Sequence, residues 1–196
     1  MIASPDSILI VNTRLIGDVI LTTPLLQMLK DAFPQAAIDF LVNRGTGEFL
    51  EKDPRVRKVI YSEKWKKSSS GLGSWYLFGL FRKYDLAITM NTGDRGATAV
   101  AVASKHYRVG YAQSDKPFSR FFRSLLFSHL IDFDETAHIA DLCSQVARVL
   151  GIASQKVHVQ LFWQPADADQ VMDLLGARVN PPGYLVIHPF ARWRYK

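Results

Sequence analysis

Short β-branched runs alternate along the chain with longer stretches in which apolar residues recur at helical spacing. Ser7–Asn12 (SILIVN), Ile38–Val42 (IDFLV), Val56–Tyr61 (VRKVIY), Leu86–Met90 (LAITM) and Tyr184–His188 (YLVIH) read as strands. Arg108–Tyr111 is a weaker strand and Val157–Phe162 a further candidate. Between them, Asp18–Ala32, Thr46–Lys52, Leu72–Lys83, Arg95–Ser104, Phe118–Phe127, Thr136–Leu150 and Pro165–Arg178 read as helices. Strand-helix alternation implies parallel pairing through crossovers, so the pattern predicts an α/β fold with an open, Rossmann-like parallel sheet. Lys64–Gly73 (KWKKSSSGLG) is basic and Ser/Gly-rich and reads as a loop. The strand Tyr184–His188 has no helix after it, and Asn180–Gly183 (NPPG) before it reads as a linker. The pattern therefore predicts one domain over residues 1–180 and, at 181–196, the first strand and loop of a second domain.

Composition narrows the function classes. With 196 residues, 48% hydrophobic and 21% charged, the chain can bury a core, which excludes disorder and collagen-like structure. Its single cysteine, Cys143, excludes a disulfide framework and a cysteine zinc site, and beside Leu142 and Val146 it reads as core. His106, His129 and His158 lack metal-ligand spacing. No apolar stretch reaches membrane-spanning length, and Met1–Ser7 does not read as a secretory signal, so a cytoplasmic place is expected. A net charge of +6 points to an anionic partner. No nucleic-acid-binding motif accompanies that charge, so nucleic acid is not the expected one.

Candidate chemistry gathers where strands end, because ligands of open α/β sheets bind beyond the carboxyl ends of the strands. Strand Ser7–Asn12 leads through Arg14 and Gly17 to Asp18 at the start of a helix. Asp18 is either an N-cap or a carboxylate base at the mouth of a cleft. Gly17 offers a backbone conformation closed to other residues and close approach by a ligand. Pro24 either kinks a helix that starts at Asp18 or opens a second helix capped by Thr23. Arg14 is a solvated loop charge or a bidentate phosphate binder. Asn91, Thr92, Gly93 and Asp94 follow Leu86–Met90 at the same sheet edge, either as caps or, through Asn91 and Thr92, as contacts to a sugar. His138 lies near the start of a helix for which Thr136 is the expected cap. Lys64, Lys66 and Lys67, and more weakly Lys105 and Arg108, form basic surface. Ser74–Phe81 and Phe118–Leu130 combine aromatic and basic residues. The first expectation for both is a helix with its apolar face on the sheet and its basic residues in water; the alternative is a membrane-facing patch.

Asn12–Leu25 (NTRLIGDVILTTPL), with a basic residue and then G-D-x-x-x-T-x-P after a strand, resembles the opening motif of glycosyltransferase family 9, the ADP-heptose:lipopolysaccharide heptosyltransferases. Lys30–Pro34 continues that pattern, and Ile187–Lys196 (IHPFARWRYK) is similar to the start of the family's second domain, closest to the heptosyltransferase III type. The resemblance implies a GT-B enzyme whose first Rossmann-like domain holds the acceptor and whose second holds the nucleotide sugar. It makes Asp18 the general base of an inverting transfer, places Arg14, Gly17, Asn91, Thr92 and His138 at the acceptor, and gives Arg192 and Lys196 to the donor. It implies ADP-heptose and the lipopolysaccharide inner core as substrates, no metal or other cofactor, and a peripheral place on the cytoplasmic face of the inner membrane. Phe190 and Ala191 depart from the small hydroxyl residues usual there. The family is about twice this length, so 196 residues alone are expected to lack a complete donor site and to be inactive. The rival expectation is a non-catalytic Rossmann-like module that binds an anionic ligand or a partner.

Overall fold

In the computed structural model, residues 4–62, 75–113, 117–134, 136–153, 158–176 and 187 are described. The donor-side candidates Arg192 and Lys196, the loop Lys64–Gly73 and the NPPG linker lie outside them, as does the strand Tyr184–His188 apart from Ile187. Two compact units separate, Met1–Phe162 and Trp163–Lys196.

The first unit is built on a six-stranded parallel sheet in the order β3-β2-β1-β4-β5-β6. The strands are β1 (Ser7–Asn12), β2 (Ala37–Asn43), β3 (Lys58–Ser62), β4 (Tyr84–Thr89), β5 (Ser104–Gln113) and β6 (His129–Phe133). This is the Rossmann order, and the chain reverses its direction of travel across the sheet between β1 and β4. A parallel sheet needs cover on both faces. Alternation along β1 supplies it: Ile8 and Ile10 enter one apolar cluster, Leu9 and Val11 the other. The first cluster packs on α2 (Thr23–Ala32) through Leu25, Leu26 and Leu29, and on α6 (Ile139–Val149) through Leu142, Cys143 and Val146. The second packs on α4 (Asp94–Ala103) through Ala97, Val100 and Ala103.

Several boundaries differ from the sequence pattern. The expected helix Asp18–Ala32 is two helices, α1 (Ile16–Ile20) and α2, parted where Thr22 caps α2 with Pro24 in its first turn. Proline thus opens a helix there instead of kinking one, and the cap is Thr22, not Thr23. Thr46–Lys52 is a 3₁₀ turn over Glu48–Lys52. Of the expected helix Leu72–Lys83, the described residues show α3 over Trp75–Phe78, followed by turns that end at Arg82 with φ 46°. β5 begins directly at Ser104, where the α4 helix was expected to end. β6 was not foreseen, because HLIDF continues the apolar run of the preceding helix without a Gly or Pro break. Residues 158–162 form no strand; Arg55 stacks 4.9 Å over the Phe162 ring there. In the second unit, α7 (Pro165–Leu175) starts with Pro165 and closes its first turn through Asp167, whose carboxylate accepts from the Gln164 N–H at 2.8 Å.

The aromatic-basic helix α5 (Pro117–Leu126) reverses the expected orientation. Arg123 is 5% exposed and donates to the Tyr111 carbonyl at 2.9 Å and to Asp94 at 3.0 Å. Arg120 pairs with Asp132 on β6. Phe121 and Leu125 are left 61% and 69% exposed.

Candidate functional site

The loops that leave β1 and β4 diverge at the switch point and open a cleft there. Asn12, the last residue of β1, is buried and organises the first loop. Its amide donates to the Asp18 carbonyl at 3.0 Å and to Thr22 Oγ1 at 2.8 Å, and its oxygen accepts from the Arg14 N–H at 3.1 Å. Thr22 Oγ1 donates to the same Asp18 carbonyl at 2.8 Å. The backbone of Asp18 is therefore held from two sides.

A second set of bonds ties the strand ends together. Asn91 Oδ1 accepts from the Thr13 N–H at 3.3 Å and Asn91 Nδ2 donates to Thr13 Oγ1 at 2.7 Å. Asn43 donates to the Thr13 carbonyl at 2.6 Å and accepts from Ser62 Oγ at 2.6 Å. Amide side chains from β1, β2 and the end of β4 thus fix the loop before Asp18. A satisfied network of this kind preorganises a site.

Asp18 occupies the third turn position of α1, not the N-cap, which is Leu15. Its Oδ2 accepts from the Leu15 N–H at 3.2 Å, and its Oδ1 lies 3.4 Å from Arg14 Nε. The carboxylate does serve the helix end, yet it stays 17% exposed beside a guanidinium that is 46% exposed. Arg14 lines an open cavity of about 440 Å³ with Asn91, Thr92, Gly93, Gln113 and Phe133. Gly17 is helical and a Cβ there would meet nothing within 4 Å, so neither backbone conformation nor fold packing requires glycine.

The structure therefore brings Arg14, Asn91 and Thr92 to one cavity; Asp18 does not line it and adjoins it only through Arg14. Asn91 lines it as a brace, with both amide atoms engaged by Thr13. Asp94 is no cap: the N-cap of α4 is Gly93, and Asp94 faces Arg123. His138 is the N-cap of α6, its Nδ1 accepting from the Ala140 N–H at 3.2 Å. Thr136, the cap expected there, bonds Asp134 instead. His138 is not among the residues lining the 440 Å³ cavity. Sequence reasoning missed Asn12, Thr22, Asn43, Gln113 and Phe133. The signal for the first three was a polar residue at or just after an apolar run, which also describes any loop.

No protein-family model matches the chain. Over 187 residues it is 28% identical to lipopolysaccharide heptosyltransferase 3 of Escherichia coli, covering 93% of this chain and 54% of that protein. The crystal structure of a glycosyl transferase family 9 protein from Veillonella parvula aligns with 79% of this chain at a TM-score of 0.64 and 22% identity, and covers 44% of that chain. E. coli heptosyltransferase WaaC with ADP aligns with 79% at a TM-score of 0.62 and 22% identity, covering 50% of that chain. The chain thus spans about half the length of the relatives it matches. The resemblance to the glycosyltransferase family 9 heptosyltransferases extends along nearly the whole chain, and the α/β fold is the one those structures share.

Proposed function

We propose that this chain supplies the acceptor-binding part of an inverting glycosyltransferase, which moves heptose from ADP-heptose to the lipopolysaccharide inner core. The observation that carries the reading is the Asp18 carboxylate, partly exposed beside Arg14, which lines the switch-point cavity, with the Asp18 backbone braced by Asn12 and Thr22. In this reading Arg14 holds an anionic group of the acceptor. Asp18 takes the proton of an acceptor hydroxyl, whose oxygen bonds to the anomeric carbon as the bond to the diphosphate breaks on the opposite face. The sugar passes through an oxocarbenium-like transition state and ADP departs. Residues 1–180 form the acceptor domain and 181–196 lead into the donor domain, with Arg192 and Lys196 at the donor. Thr92 and His138 belong to the acceptor side, and the protein works peripherally at the cytoplasmic face of the inner membrane. Cationic side chains and helix N-termini neutralise the departing diphosphate without a metal.

The test is D18N and D18A in a complete homologous enzyme. Loss of about 10²–10⁴-fold in kcat with an unchanged melting temperature for the asparagine variant supports a base. Transfer at a near-normal rate leaves Asp18 as a helix-end carboxylate only. Chelation by EDTA leaves the rate unchanged in this reading; a rate restored by added Mg²⁺ contradicts the metal-free departure.

A further inference from the structure

The apolar run of β2 carries one acid, Asp39, on the sheet face of Leu41. A carboxylate buried among strands needs partners that answer its charge. Arg57 supplies a fork, donating from Nε to Oδ1 at 2.9 Å and from Nη2 to Oδ2 at 2.7 Å. Tyr84 Oη donates to Oδ2 at 2.6 Å. Both carboxylate oxygens are thereby engaged, and the Arg57 guanidinium is fixed while its side chain stays half exposed. A guanidinium held in this way is a preorganised donor for a second anion.

Asp39, Arg57 and Tyr84 line one open cavity of about 710 Å³ with Ser7, Lys58 and Lys83, and Ile60 and Leu80 add an apolar wall. That volume is in the range of small-molecule sites. The cavity lies at the amino ends of the strands, since Ser7 opens β1, Lys58 opens β3 and Tyr84 opens β4. Arg14 and Thr92 follow the opposite ends of β1 and β4, a strand length of about 17 Å away. Within the described wall Asp39 and Arg57 cancel, so the charges of Lys58 and Lys83 remain. Among the described residues Arg57 Nη1 and the ammonium groups of Lys58 and Lys83 have no hydrogen-bond or ion-pair partner. Asp85, the acid beside Tyr84, is not in the wall; Ser7 Oγ donates to it at 2.8 Å and Lys105 pairs with it at 3.4 Å.

We propose that this cavity binds a phosphomonoester carried on a small organic molecule, at a site separate from the one that Arg14 lines. A phosphomonoester brings a charge of about −1.5 to −2 at pH 7, which matches the two uncompensated lysines. Its terminal oxygens accept from Arg57 Nη1 and from both ammonium groups. A carboxylate or a sulfate ester carries a single charge and leaves one lysine unanswered. Ile60 and Leu80 receive the carbon body, which inorganic phosphate lacks. Neither Asp18 nor Arg14 takes part, so the proposal stands or falls apart from the transfer chemistry.

The test is an NMR titration of the isotope-labelled 196-residue chain with glucose 6-phosphate, glucose and inorganic phosphate. Glucose 6-phosphate is expected to bind saturably and to shift the amides of Arg57, Lys58 and Gly79, and glucose is expected to shift none of them. K58Q/K83Q, which changes two side chains without described partners, lowers the affinity at least about tenfold at an unchanged melting temperature. R14Q leaves the affinity unchanged. No saturable shift, an equal response to glucose, or an unchanged affinity in K58Q/K83Q overturns the proposal. So do shifts confined to Arg14, Asn91 and Thr92 that R14Q removes, which place the phosphate in the other cavity. Inorganic phosphate binding as tightly as glucose 6-phosphate overturns the phosphomonoester assignment, because the carbon body then contributes nothing.

Discussion

At the scale of single residues, Gly17 separates fold from function most cleanly. Its helical conformation and open surroundings mean G17A is tolerated by the fold and stabilises α1 by about 0.5–1 kcal/mol. If an acceptor passes over this point, the same variant raises KM while the melting temperature holds or rises; an unchanged KM shows that nothing approaches there. Asn12 behaves oppositely. N12A removes three hydrogen bonds from a buried site and costs about 1–3 kcal/mol in urea unfolding, with activity lost through the loop and not through the base. The buried Asp39 carboxylate takes Arg57 in two bonds and Tyr84 Oη at 2.6 Å; Arg57 is half exposed and finds water in D39A, so the loss is mainly the stranded Tyr84 hydroxyl, about 1–3 kcal/mol.

At the scale of elements, close approach decides where helices can lie. A Cβ on Gly110 of β5 would stand 2.5 Å from the Phe127 ring and 2.8 Å from Thr89 Cγ2. One on Gly96 of α4 would collide with Thr89 Oγ1 and lie 3.1 Å from Asn91 Cβ. Both glycines press on Thr89, directly behind the brace residue Asn91. G110A is expected to destabilise by about 1–3 kcal/mol, read as a lower urea midpoint with an unchanged m-value. Elements with strong internal signals were legible in the chain: β1, β2 and β4 as β-branched runs, and α2 and α6 as apolar stripes. α5 was legible as a helix, but its facing was not. Amphipathic spacing identifies two faces, and Tyr111 and Asp94, distant in sequence, decided that the arginine face turns inward.

At the scale of the molecule, burial of acidic protons sets the alkaline limit. Burial pushes the Cys143 thiol up to about 12 from its ordinary 9.0, and raises the phenols of Tyr111 and Tyr84 as well. Unfolded, these groups release protons from about pH 9 upward; folded, they keep them, so stability falls as pH rises through that range. Melting temperatures are expected to drop between pH 8 and pH 10, with a shallower drop in C143A. The Rossmann-like α/β class followed from the sequence alone, because strand and helix periods are local properties of consecutive residues. So did the position of Asp18 after the first strand, because a motif is local too. Three features came only from tertiary structure: the assembly of Asn12, Asn43 and Asn91 around Thr13, the place of β6 at the sheet edge, and the outward apolar face of α5. Each depends on contacts between residues far apart in the chain, and no local period encodes which distant partner satisfies a buried polar group.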